Sequence, residues 1–194
     1  MKKFAIALFA VAAVCTQTMA QPPLKNVSAS TMKLNVEQLQ CQDQTVQINR
    51  YLFAGYNTLC LPMSLSAEQL SAAAKDITIE RLAAIKQVGS DLNLYFVDCT
   101  SEGLQAGAPY LIYSPTSQYL RVVNTEAMTV SDELTAVHMA DGQGNQVTFS
   151  SSWEPIAKAG RYGIPAKQDV TPLQSILIRT EADKAFLPTR CGFS

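Results

Sequence analysis

The stretch 51–63, YLFAGYNTLCLPM, constrains the fold more than any other part of this chain. Beyond the first twenty residues it is the longest run rich in aromatic, β-branched and aliphatic side chains. In an extended conformation Tyr56, Thr58 and Cys60 point to one side, and Leu59, Leu61 and Met63 to the other. Both sets are mostly apolar, which predicts a strand covered on both faces and central in its sheet. Gly55 interrupts the run after an earlier strand over 46–53, a place for a bend or bulge. Pro62 has no N–H to give to a ladder, so regular pairing ends there.

A helix start follows at once. Ser66 and Gln69 have the spacing of a capping box, and Leu65 and Leu70 that of a hydrophobic staple. The pattern predicts a short helix over about 67–75, with Lys75 complementing the C-terminal end of its dipole.

The rest of the chain reads as short strands between turn signals. A weak alternation over 31–39 predicts a first strand. Residues 77–88 carry Ile77, Ile79, Leu82, Ile85 and Val88 with a phase shift partway, which reads as a bulged strand rather than a strand followed by a helical turn. Gly89, Ser90 and Asp91 turn the chain into a strand over 92–97, completing a hairpin. Strands are also expected over 110–113, 119–123 and 128–130. Strands over 134–139 and 146–149 flank Asp141-Gly142-Gln143-Gly144-Asn145, the clearest hairpin loop. Short strands are expected around Tyr162 and over 175–180 and 185–187, the last two joined by a tight turn at 181–184. One helix among many short strands predicts a mainly β chain, an antiparallel β-sandwich with one short α-helix, as a single domain over 31–194.

Two motifs carry a family resemblance. Tyr56-Asn57-Thr58-Leu59-Cys60-Leu61-Pro62, then a helix and a hairpin, then Ala106-Gly107-Ala108-Pro109-Tyr110-Leu111-Ile112, resembles a β-rich domain of unknown function found in secreted and cell-surface proteins of Bacteroidota. The ending Leu187-Pro188-Thr189-Arg190-Cys191-Gly192-Phe193 is similar to that domain's last strand, with Cys-Gly-Phe where Ala-Tyr-Phe or Ala-Tyr-Leu is usual. The resemblance covers most of residues 35–194. It implies an exported β-rich domain and offers no catalytic residue to carry over.

Residues 1–20 read as a secretory signal: Lys2 and Lys3, an apolar segment over 4–14, and Thr18-Met19-Ala20 before the cleavage point. Acylation of Cys15 is the competing reading, and Val14 is large for the position before a lipidated cysteine. Residues 21–30, with Pro22-Pro23, are expected to be a flexible mature N-terminus. Localisation follows as exported: periplasm, cell surface or secreted. Hydrophobic residues make up 47% of the sequence, enough to exclude disorder for its bulk. No basic face suggests nucleic acid, and no apolar run past the leader reaches membrane-spanning length.

Of five cysteines, Cys41, Cys60, Cys99 and Cys191 lie beyond the leader. Export permits disulfides among them, and spacing cannot choose the pairing. A free buried thiol is the alternative for Cys60. None of the spacings is a zinc pattern, and no metal site or cofactor is expected.

Catalytic chemistry needs convergent titratable groups. A thiol nucleophile paired with His138, the single histidine, is the least favoured reading, because no nucleophile motif surrounds any cysteine. Paired carboxylates find no support in the spacing of the acids, which fall mostly in turns or on polar faces. Trp153, Tyr113, Tyr119 and Tyr162, near strand breakers, are the candidate ligand-binding rings, with core packing as the alternative for each. The leading expectation is a non-enzymatic binding or adhesion-type module for a glycan or surface protein. The alternative is a secreted proteinase inhibitor or small effector presenting the Gly142–Gly144 loop.

Overall fold

The computed structural model describes residues 24–28, 36, 45–124, 130–157, 160–164, 178–179, 185–186 and 189–194. The first half holds strands β1 (Leu24–Ser28), β2 (Thr45–Leu52) and β3 (Gly55–Leu59), helix α1 (Ala67–Ala73), and strands β4 (Thr78–Val88), β5 (Asp91–Asp98), β6 (Tyr110–Ser114) and β7 (Gln118–Asn124). The second half holds β8 (Val137–Ala140), β9 (Gln146–Ser151), β10 (Ile156–Ala157), β11 (Tyr162–Gly163), β12 (Ile178–Arg179), β13 (Ala185–Phe186) and β14 (Cys191–Phe193).

The described residues are mainly β, with one α-helix among them. Its sheets run β1-β2-β7, β3-β6-β4-β5, β12-β11-β14-β9-β8 and the pair β10-β13. All pairings are antiparallel except β1 with β2, which is parallel.

Local sequence explains the elements. Ser66 Oγ accepts from the Gln69 N–H at 3.2 Å, and Gln69 Oε1 accepts from the Ser66 N–H at 2.8 Å, the reciprocal box that starts α1. Leu65 and Leu70 are both buried. The helix is shorter than expected: its C-cap is Ala74, in an extended conformation, and Lys75 lies beyond it, its N–H donating to Gln118 Oε1. The phase shift in 77–88 is a bulge: the register of β4 against β5 slips between Leu82 and Ala84, so Ile79, Leu82 and Ile85 all reach the core.

Leu59, Leu61, Leu70, Ile79, Ile112, Leu120 and Phe149 are fully buried and belong to one core cluster. Across it, Phe96 of the four-stranded sheet meets Phe149 and Phe193 of the five-stranded sheet edge-on. That contact joins the two sheets into the sandwich arrangement.

Several expectations need correction. The strand in the YNTLCLP motif is buried on both faces as expected, but it ends its sheet instead of lying centrally. Its outer edge is covered by the chain entering β14: Cys60 N–H donates to Thr189 O at 3.2 Å, and Cys191 N–H to Thr58 Oγ1 at 3.0 Å. Within the stretch 21–30, residues 24–28 form β1, whose backbone pairs in parallel with β2. Strands β12 and β13 do not form a hairpin with each other, since β12 pairs with β11 and β13 with β10. The expected leader, Cys15, Cys41 and the turn at 181–184 lie outside the described residues, as do the expected strands over 31–39 and 128–130, apart from buried Val36 and Val130.

Candidate functional site

Strand β5 ends the four-stranded sheet, with no strand paired to its outer side among the described residues. Five consecutive β5 residues, Leu92 to Phe96, line a cleft of about 690 Å³. Tyr56, Glu80 and Leu111 line it from β3, β4 and β6, together with Phe193 of β14 and Ile164, which directly follows β11. Leu92 and Tyr95 are exposed, 38% and 45%, so the cleft wall presents apolar surface to solvent.

One polar pair sits in this lining. The Tyr56 hydroxyl donates to Glu80 Oε1 at 3.4 Å. Burial raises the Glu80 carboxyl above its ordinary value; the Tyr56 hydrogen bond opposes this and the Asp98 charge adds to it. Burial also raises the Tyr56 hydroxyl, and the neighbouring Glu80 charge reinforces that shift.

The four rings singled out from sequence do not share one surface. Tyr113 stands behind the cleft, its ring edge-on to Tyr56 at 5.3 Å. Tyr162 is 43% exposed and in register with Phe193, beside the cleft. Trp153 is buried, and its indole N–H donates to the Asp132 carbonyl at 2.8 Å, which makes it an anchor of the core. Tyr119 lies on another sheet, where Tyr51 meets both Tyr119 and Phe53 edge-on at 5.0 Å. The Arg121 guanidinium sits 5.4 Å from the Tyr119 ring centre.

His138 Nδ1 hydrogen-bonds Thr148 Oγ1 at 3.1 Å across the β8–β9 hairpin, on an exposed face. Cys60, Cys99 and Cys191 are all buried and carry free thiols. Burial raises the Cys99 thiol, which donates to Ile79 O at 3.5 Å. Burial first, then the neighbouring Cys60 thiol, pushes the Cys191 thiol well up. Among the described residues, no group of three or more histidines, cysteines or acids could hold a metal ion. No described helix is long and apolar enough to cross a membrane. The Gly142–Gly144 loop leans on the β4–β5 hairpin through Asn145 Nδ2 donating to Gln87 Oε1 at 3.0 Å.

Sequence reasoning missed Arg50. It is 4% exposed, on the inner face of β2 between Ile48 and Leu52. The signal was present: one charge among Ile48, Arg50 and Leu52 on the apolar phase of a strand. It also missed Glu80 and Tyr95, which look like ordinary surface residues until the hairpin is docked on the second sheet.

Compared with known protein families, curated proteins and solved structures, the chain matches none.

Proposed function

We propose that this protein is an exported, non-catalytic binding module whose ligand is an extended segment of a surface protein laid along β5. The observation that carries this reading is the coincidence of a cleft lined by Leu92 to Phe96 with a strand that, among the described residues, has no partner on its outer side. An edge strand offers unpaired N–H and C=O groups to an added strand, and a neighbouring cleft lined by both apolar and polar groups accepts its alternate side chains. Leu92, Leu94, Leu111 and Ile164 give the lining aliphatic surface for peptide side chains, beside the rings of Tyr56, Tyr95, Phe96 and Phe193. The inhibitor alternative is less well supported, because the loop it would insert into an enzyme cleft is tied back to Gln87.

A second reading, glycan binding, draws on the Tyr51, Phe53 and Tyr119 cluster with Arg121. Amide chemical-shift mapping separates the two. Titration with extended peptides from envelope proteins is expected to move the amides of residues 91–98. Polysaccharide titration that moves residues 47–53 and 119–123 instead would replace the peptide reading with the glycan one. Tyr95→Ser is expected to weaken peptide binding at least tenfold while leaving the fold intact, because its ring is half exposed.

A further inference from the structure

We propose that Cys60 and Cys191 are a disulfide site, which closes when the chain meets a disulfide oxidant and staples the last strand, β14, to β3. Three observations on the backbone and side chains select this pair. Both thiols lie in the one core cluster, where burial and the neighbouring Cys60 thiol raise that of Cys191. The segments that carry them are bonded together, by Cys60 N–H to the Thr189 backbone carbonyl and by Cys191 N–H to the Thr58 side-chain Oγ1, the latter joining residues 133 apart in sequence. Thr189, which sets the entry to β14, holds φ at 68°, a left-handed value that β-branched residues seldom adopt, and it is itself buried. The sequence left three pairings open. The structure separates Cys99 from this pair by aiming its thiol at the Ile79 carbonyl.

The chemistry is thiol–disulfide exchange with an external disulfide, either a dithiol oxidoreductase of an oxidising compartment or oxidised glutathione. One thiol, as thiolate, attacks the oxidant's S–S bond, forming a mixed disulfide and expelling one reduced thiol. The second cysteine, losing its proton, then attacks the protein sulfur of that mixed disulfide. The product is the Cys60–Cys191 bond, two reduced oxidant thiols and no net change in protons. Both thiols are buried in the folded protein, so the exchange runs while β14 is undocked, before or during folding. The link bears on the cleft because β3 carries Tyr56 and β14 carries Phe193, so it fixes two of its lining residues to each other.

The occurrence of the bond in cells rests on the export reading, and the test keeps the two apart. The full chain is purified from the exported fraction, and separately denatured, reduced and refolded with oxidised glutathione. Each sample is denatured without reductant, alkylated, digested and analysed by mass spectrometry. The expected result is a peptide pair joined through Cys60 and Cys191 in both samples, with Cys99 alkylated. A linked pair in the refolded sample alone supports the site and counts against export. Alkylation of both Cys60 and Cys191 in the refolded sample, or linkage of either one to Cys99 or Cys41, overturns the proposal. Reduction is expected to lower Tm by roughly 10 °C, given the long loop closed. The Cys60→Ala/Cys191→Ala variant should show no change in Tm on reduction, and Cys99→Ala should retain the wild-type drop. A drop that persists in the double variant overturns the proposal.

Discussion

Phe149 and Phe193 stack face to face, with ring centroids 4.3 Å apart and planes 6° from parallel. Phe96 meets both edge-on at 6.2 Å. The three rings come from β9, β14 and β5, so a single aromatic cluster holds the hairpin that bears the cleft against the sheet that faces it. Phe149 is fully buried, whereas Phe96 and Phe193 also line the cleft. Phe149→Ala removes the centre of this cluster and leaves a cavity. The expected cost is about 3–5 kcal/mol of unfolding free energy by urea denaturation. A loss below about 1 kcal/mol would mean that the two sheets are held together elsewhere.

Gly107 is required by both its conformation and its surroundings. Its φ is 73°, and a Cβ there would run into the backbone carbonyl of Glu133. The neighbouring bonds are tight as well: Gly107 N–H donates to Leu61 O at 2.8 Å, and Thr135 N–H donates to Gly107 O at 3.0 Å. Gly107→Ala should destabilise the protein by at least about 2 kcal/mol. Gly142→Ala is the control, because a Cβ there meets nothing within 4 Å although φ is also left-handed, at 74°. Equal losses at both sites in thermal melts would remove the steric argument.

The two glycines also show what the sequence disclosed and what it concealed. Local rules were legible: the capping box at Ser66 and Gln69, the bulge inside 77–88 and the turn at Gly142 each follow from residues a few positions apart. Long-range partners were not. Nothing near Gly107 reveals that Glu133 will pass over it, and nothing near Cys60 reveals that Thr189 and Cys191 will cover its edge. For the same reason a strand apolar on both faces was read as central. Burial on both faces reports coverage, and the end of another sheet covers as well as a paired strand does. The surroundings of the candidate rings were hidden in the same way, since Trp153 and Tyr119 are equally aromatic, yet Trp153 is buried with its indole N–H on the Asp132 carbonyl and Tyr119 is exposed.

Glu80 provides a pH test. Its carboxyl is raised in the folded state from 4.5, chiefly by burial. The folded protein therefore holds the proton more tightly than the unfolded chain. Its contribution to stability is greatest below the unfolded value and is lost as pH rises through the folded value. Glu80→Gln removes that dependence. Relative to wild type, the variant should be more stable at about pH 7 than at about pH 4 in parallel urea titrations. The effect should be modest, because the group is partly exposed and screened by solvent. A variant whose difference from wild type is the same at both pH values would show that the carboxyl is not perturbed by the fold.

Arg50 is the clearest local conflict in the core. Its Nε is buried with no hydrogen-bond partner among the described residues, and the same holds for Arg190. Burial, followed by the like charge of Arg190, pushes the Arg50 guanidinium down to about 9. A buried charge costs stability unless hydrogen bonds and an opposite charge offset it. Methionine spans a similar length without the charge and suits an inner face flanked by Ile48 and Leu52. Arg50→Met is therefore expected to stabilise the protein by about 1–2 kcal/mol in urea denaturation. Combining it with Arg190→Met should give less than the sum of the two single effects, because either change relieves the same repulsion. Destabilisation by Arg50→Met would identify the guanidinium as a paired group, held by an acceptor through its terminal nitrogens. The charge on the inner face of β2 would then be a structural tie instead of a cost.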